Sequence, residues 1–477
     1  MQKEASVSKN IVWSVAERLS SQGLYFVISI VLARLILPDI YGLVNIVNVV
    51  VNLFSLVIQS SFSSALIVDN NADDRKYSSA FWSTLIFTVL LYGTLFATAP
   101  LIAAFYNYPA LALYIRVMSL QLILQGIYSI PFAYVSKHMM FSKTVISTFV
   151  GVAVSGATAI WMAMNGMEVW ALICINGIEV AVSTVILWIL IRFRVRFVLD
   201  IKSLLEMWRY CWKLMTVDFL NSLYTNINSL IIGKKYQSSD VAYYNKAYSL
   251  PQMLLGSVNT AVSKVLFPAF AQVKNSVDET REMLRMSIRV MNYIILPMLT
   301  GLAAVSYDLI SLLFGEAWIE TVPYLQLMCV VWMFQPIQTN AAQAMKALGK
   351  GSTYLKIEGA KKACGLVILI VCLIAGTSAI SLAWALVVGQ FVSTLLNMPV
   401  LKKHFKYRYR MQIKDMMASV LMNALMFALV WGVGKLIDGL ILRLIVQVAV
   451  GGFSYLLMSL ITKNENLMFV FNKIKNR

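Results

Sequence analysis

Four acids, Glu17, Glu179, Asp218 and Asp308, interrupt stretches that are otherwise almost wholly apolar. A carboxylate in such surroundings either carries a proton or sodium ion or is held by a fixed cation. All four are candidates for coupling an H+ or Na+ gradient to movement; a fixed pair, Asp218 with Arg18 for example, is the alternative. Cations share these stretches: Arg18, Arg34, Arg116, Lys234, Lys235, Lys246 and Lys264. They suit an anionic headgroup, with snorkelling toward lipid phosphates as the competing task. A third set is neutral and periodic. Asn45, Asn48, Asn52, Ser55 and Gln59 recur at spacings of three and four, as do Asn245, Ser249, Gln252, Gly256, Asn259 and Ser263. Asp218, Ser222, Thr225 and Asn228 or Ser229 follow the same rhythm, and so do Ser14, Glu17/Arg18, Ser21 and Tyr25. That spacing is one helix face. Amides and hydroxyls there either face water or glue helices together.

Bond-making chemistry finds little support. Gly349-Lys350-Gly351-Ser352-Thr353 lacks the full phosphate-loop spacing and its strand–turn–helix setting. His138 and His404 join no nucleophile or metal constellation, and Cys174, Cys211, Cys329, Cys364 and Cys372 have no ligand spacing. No cofactor or metal is expected, and the chain reads as a non-enzyme. Glu316 and Glu320 beside Trp318 are the sole candidate acid pair for a membrane glycosyltransferase or polymerase, and the outer loops are short for such an enzyme.

The elements that must position these residues are membrane helices. The chain is 59% hydrophobic and 13% charged, with mean hydropathy +0.74. Its apolar runs have the ~20 residues that a helical span needs, not the shorter alternating segments of a barrel. Spans are expected near 11–37, 40–66, 78–100, 110–131, 143–164, 168–191, 211–233, 247–271, 290–313, 323–346, 357–376, 379–400, 416–437 and 440–462. The first retains Glu17 and Arg18 and reads as a kept helix rather than a removed signal. Lys and Arg fall in alternate gaps, while 101–109, 165–167, 314–322 and 377–378 carry none. The positive-inside rule then puts both termini in the cytoplasm. Lys346, Lys350, Lys356, Lys361 and Lys362 count among the inner-loop cations. The net charge of +18 is spread over these loops, so nucleic acid is not the expected partner. The basic and aromatic run 402–414 suits anionic lipids.

A shift of about 200 residues lays spans one and two over seven and eight. Glu17/Arg18 falls on Val217/Asp218, Arg34 on Lys234, and residues 37–42 on the turn around Ser238–Tyr243. The expected organisation is two parallel six-helix lobes, 1–200 and 201–408, with 409–477 adding two further helices and a basic tail.

Trp13-Ser14, Glu17-Arg18-Leu19, Gln22 and the run Leu32-Ala33-Arg34-Leu35-Ile36-Leu37-Pro38-Asp39-Ile40-Tyr41-Gly42 resemble the start of bacterial polysaccharide-transport proteins. Asn226-Ile227-Asn228, Ile232-Gly233, Ala242 to Pro251 and Lys264 to Phe270 resemble the same family's spans seven and eight, with Ala242 where Gly is usual. The family is the lipid-linked oligosaccharide flippase branch of the multidrug/oligosaccharidyl-lipid/polysaccharide exporter superfamily. The resemblance implies an all-α fold of fourteen spans, with two pseudo-symmetric lobes around a V-shaped cavity and two peripheral helices. It also implies flipping of a polyprenyl-pyrophosphate-linked glycan from the cytoplasmic to the outer leaflet of a bacterial inner membrane. Other polysaccharide-assembly membrane proteins are possible partners. On that reading Arg18, Arg34, Arg116, Lys246 and Lys264 are cavity cations. Arg18 and Lys264 meet pyrophosphate on the inner side, and Arg34 and Lys246 on the outer. Asn45, Asn48, Asn52, Gln59, Asn228, Gln252 and Asn259 line the cavity. A small-molecule/ion antiporter of the same superfamily is the alternative.

Overall fold

The computed structural model describes residues 21–59, 61–69, 73–192, 194–273, 275–376 and 378–462, except the side chains of 257–265 and 418. Glu17 and Arg18 lie outside the described residues, as do the side chains of Asn259 and Lys264. Of the described residues 88% are helical, and none lies in a strand. Nine described helices are long and apolar enough to cross a bilayer, which makes this a multi-pass membrane protein. The chain divides into two compact units, Met1–Ala242 and Tyr243–Arg477.

The first unit holds α1 (Ser21–Leu35), α2 (Pro38–Gln59), α3 (Phe62–Val68), α4 (Asp74–Tyr106), α5 (Leu111–Met118), α6 (Leu120–Lys137), α7 (Phe141–Met164), α8 (Glu168–Ile191), α9 (Ile201–Lys235) and the start of α10 (Ser238–Gln272). Small residues let α7 and α8 approach closely. A Cβ on Gly151 would lie 2.9 Å from the Glu179 carbonyl oxygen, and Ser183 Oγ donates to the Ser147 carbonyl at 3.1 Å. The expected repeat recurs in the helix boundaries: α1 ends at Leu35 and α9 at Lys235, α2 opens at Pro38 and α10 at Ser238. The two equivalent corners touch. Asp39 Oδ1 accepts from Ser238 Oγ at 3.2 Å, and Gly42 packs directly on the Ser238 backbone.

The second unit contains α11 (Val277–Ala304), α12 (Ser306–Phe314), a 3-10 turn (Glu316–Trp318), α13 (Thr321–Met333), α14 (Gln335–Ala347), α15 (Gly351–Ala375), α16 (Ile380–Phe405), α17 (Tyr409–Gly434) and α18 (Leu440–Ile461). α17 and α18 pack on α11 and α12 through Tyr293, Met422, Met426, Val430 and Tyr455. Arg285 reinforces this packing with a two-armed ion pair to Asp415, at 2.8 and 3.1 Å, and Tyr407 donates to the same carboxylate at 2.8 Å.

Several expected boundaries are corrected. Stretches taken as basic loops are helical: α9 starts at Ile201, α11 at Val277 and α15 at Gly351. Local caps extend α9 and α11 beyond their apolar runs. Asp200 accepts from the Lys202 and Ser203 amides, and Ser276 from that of Glu279. Hydrogen bonds from Ser203 hold the Asp200 carboxyl below its ordinary range. Its contribution is complete above about pH 4 and is lost as the pH falls through that lowered pKa. Expected single spans also break. The span near 290–313 is interrupted at Val305. The span near 323–346 breaks at Phe334, where Pro336 opens a new helix. α5 gives way to α6 at Ser119, and α2 to α3 before Phe62.

Candidate transport site

In the first unit the polar stripe of α2 is only partly buried: Asn45 and Asn48 are half-buried, while Asn52 and Gln59 are exposed. Asn48 Oδ1 accepts from Asn176 Nδ2 on α8 at 3.2 Å. One turn further along α8, Glu179 accepts a hydrogen bond from the Tyr25 hydroxyl of α1. Tyr25, Asn48, Asn176 and Glu179 thus form a polar seam across three otherwise apolar helices. The seam satisfies groups that could not stand alone in hydrocarbon. Glu179 meets a neutral hydroxyl there, an arrangement able to hold or release a proton. Sequence reasoning overlooked Asn176, although its three-residue spacing to Glu179 was the available signal. Asn228, expected to line the cavity, is buried at 3% exposure. Asp218 is half-buried on α9.

The expected cavity cations have varied surroundings. Arg34 is exposed at the end of α1. Arg116 stacks 4.3 Å from the Phe96 ring centroid and donates through Nε to the Phe96 carbonyl at 3.3 Å. That carbonyl lacks its helical partner because position 100, four residues on, is proline. Arg116 therefore satisfies the carbonyl that Pro100 leaves free. Replacing it with alanine is expected to cost about 1 kcal/mol in unfolding experiments in detergent. The cost should shrink when Pro100 is also alanine, because the Phe96 carbonyl then regains an amide; equal costs in both backgrounds would refute that role. Lys234 plays a similar part, donating to the Phe105 carbonyl in the last turn of α4.

In the second unit the Lys246 ammonium lies 4.6 Å from the Phe314 ring centroid and 5.5 Å from that of Trp318. Tyr243 braces Trp318 edge-on and donates to the Ala317 carbonyl at 3.2 Å. Gln252 is exposed. Asp308, a candidate for ion coupling, is buried in an ion pair with Arg443 of α18. Arg443 was missed, though a lone cation inside the apolar run 440–462 already calls for an acid. Lys361 was counted with the inner loops, but it is 7% exposed on α15. Its ammonium reaches Glu358 Oε1 at 2.7 Å and Gln338 Oε1 at 3.0 Å, and Gln338 continues to Gln390 and Asn397. Burial of that amine follows from the packing of α14 and α16 against α15, which brings Gln338 and Asn397 together beside it.

Among the described residues no cluster of His, Cys, Asp or Glu could hold a metal ion. The geometry offers hydrogen-bonding seams and fixed cations.

Succinoglycan biosynthesis transport protein ExoT of Rhizobium meliloti (strain 1021) is 24% identical over 489 residues, spanning 99% of this chain and 96% of that protein. Lipopolysaccharide biosynthesis protein WzxC of Escherichia coli (strain K12) is 25% identical over 402 residues, 82% of this chain and 80% of its own. The fold resembles the lipid II flippase MurJ in its inward closed conformation, with a TM-score of 0.74 at 15% identity, over 95% of this chain and 99% of that one. Residues 31–323 match the family described as polysaccharide biosynthesis protein, and the chain belongs to that family.

Proposed function

We propose that the protein carries a polyprenyl-pyrophosphate-linked oligosaccharide from the cytoplasmic to the outer leaflet by alternating access. The observation that carries this reading is similarity along almost the whole chain to a succinoglycan transport protein. Polar seams and cations set in apolar helices support it, because a charged, hydroxylated headgroup needs counter-charge and hydrogen bonds along its path. In the finer form of the reading, fourteen spans make two six-helix lobes, 1–200 and 201–408, around a central cavity. Residues 409–477 are peripheral, and both termini are cytoplasmic. Arg18 and Lys264 receive the pyrophosphate on the inner side, and Arg34 and Lys246 on the outer.

The test replaces Arg18 and Lys264 together with alanine at matched expression. Cells should stop exporting the glycan and accumulate its lipid-linked precursor inside. Normal export would remove these cations from the mechanism.

Glu179 is the proposed coupling acid, relaying a proton with Tyr25. Glu179→Gln keeps the shape but cannot cycle a proton. Export driven by a pH gradient in vesicles should fall about tenfold or more, and the remaining transport should ignore the gradient. Full gradient dependence in the variant would count against Glu179.

A further inference from the structure

We infer that a groove between α2, α4 and α9 seats the isoprenoid chain of the lipid-linked substrate, with its pyrophosphate held by Arg209 and Lys213. This inference rests on the transport reading above and adds a docking site to it.

The groove belongs wholly to the first unit and has a volume of 380 Å³. Its walls include Val57 of α2, Phe87 of α4, and Trp208, Trp212, Met215 and Phe219 of α9. The sequence of α9 explains why it stays open. Met207, Cys211 and Met215, four residues apart, pack into the core with Phe62, Tyr77 and Phe81. The neighbouring face then presents Trp208 and Trp212, which remain 41% and 46% exposed. Trp208 meets Phe87 edge-on at 6.2 Å between ring centroids, so one wall is braced by the other.

Arg209 and Lys213 each follow one of these tryptophans. One residue turns about 100° around a helix, so both cations border the N-terminal half of the aromatic strip. They are exposed and make no ion pair or hydrogen bond among the described residues. Glu206, the acid of that turn, acts electrostatically on Lys76 of α4. The result is an amphiphile's imprint: two exposed cations one turn apart, beside an aromatic trough that runs on along the helix into its apolar part.

The dimensions select the occupant. From Trp208 to Leu220 the groove runs roughly 18 Å along α9. A volume of 380 Å³ over that length matches the cross-section of one extended hydrocarbon chain. A phospholipid brings two chains and one phosphate. An isoprenoid pyrophosphate brings one chain, two adjacent phosphates for the two cations, and repeated double bonds to lie against the indole and phenyl faces.

The test is native mass spectrometry of the full-length protein in detergent, titrated with a long-chain polyprenyl pyrophosphate or with phosphatidylglycerol. Trp212→Ala should weaken polyprenyl pyrophosphate binding about tenfold, and Arg209→Gln/Lys213→Gln by at least as much. Phosphatidylglycerol binding should change little in either. Trp212→Leu, which keeps an apolar side chain, should bind between wild type and Trp212→Ala and unfold at the wild-type temperature, so a folding defect is recognisable. Equal weakening for both lipids overturns the assignment and makes the groove a seat for bulk phospholipid. If wild type binds polyprenyl pyrophosphate and every groove variant binds it as tightly, the groove inference fails and the transport reading stands. If wild type binds none, both fail.

Discussion

Replacing Gly42 with alanine is expected to force apart the two repeat-related corners, at α1–α2 and α9–α10. The added Cβ would stand 1.6 Å from the Ser238 carbonyl oxygen and 2.3 Å from its carbon. Both are main-chain atoms, so no side chain can swing aside and a helix end must move. Overpacking of this kind costs roughly 1–3 kcal/mol, and more where backbone meets backbone. The Asp39–Ser238 hydrogen bond, 3.2 Å long, should be lost with it. Under the proposed topology these corners lie at the outer face, so the variant should also favour a state open to the outside. With the native cysteines replaced, a cysteine at the exposed position Gln237 should label faster with a membrane-impermeant maleimide, and the unfolding temperature in detergent should fall. Wild-type labelling and stability in Gly42→Ala would show that the corners have slack. Ala242→Gly is the contrasting control. Ala242 is 1% exposed, yet its methyl is accommodated. Removing it should cost no more than the ~1 kcal/mol that glycine costs a helix.

The second large effect is expected at Asp308 and Arg443. The Asp308 side chain is 8% exposed and that of Arg443 28%, so each is the other's main source of compensation. Arg443→Ala would leave a carboxylate buried against α18 without its cation. Breaking such a pair from one side costs about 3–5 kcal/mol, enough to lower the yield of folded protein. Asp308→Asn combined with Arg443→Gln should cost clearly less than the two single changes summed, because no unpaired charge remains. Unfolding in detergent checks the cycle, and additive losses would deny the coupling. An ion-coupling role for Asp308 makes the opposite demand, with Asp308→Asn stable but blind to the ion gradient.

The two outcomes bear on different parts of the molecule. Gly42 concerns a joint whose two halves are recognisable as repeats in the sequence. Asp308 and Arg443 concern the attachment of α18 to α12, for which the repeat is silent.

Much was legible in the sequence because transfer from water to hydrocarbon is a local property of a residue. Runs of Leu, Ile, Val and Phe marked the membrane helices, and the alternation of Lys and Arg between them gave each loop an expected side. The shift of about 200 residues placed the turns at Pro38 and Ser238 in register. The polar stripe on α2, and Tyr25 and Glu179 as groups needing partners, also followed from spacing alone. Tertiary structure decided who those partners are. Glu179 meets Tyr25 across 154 positions, Asp308 meets Arg443 across 135, and Arg116 serves a carbonyl freed by Pro100. Lys361, counted with the inner loops, sits in a buried amide network because Gln338 of α14 and Asn397 of α16 meet beside it. Hydropathy scores each residue against a solvent, whereas pairing depends on where distant helices lie side by side, and only packing determines that.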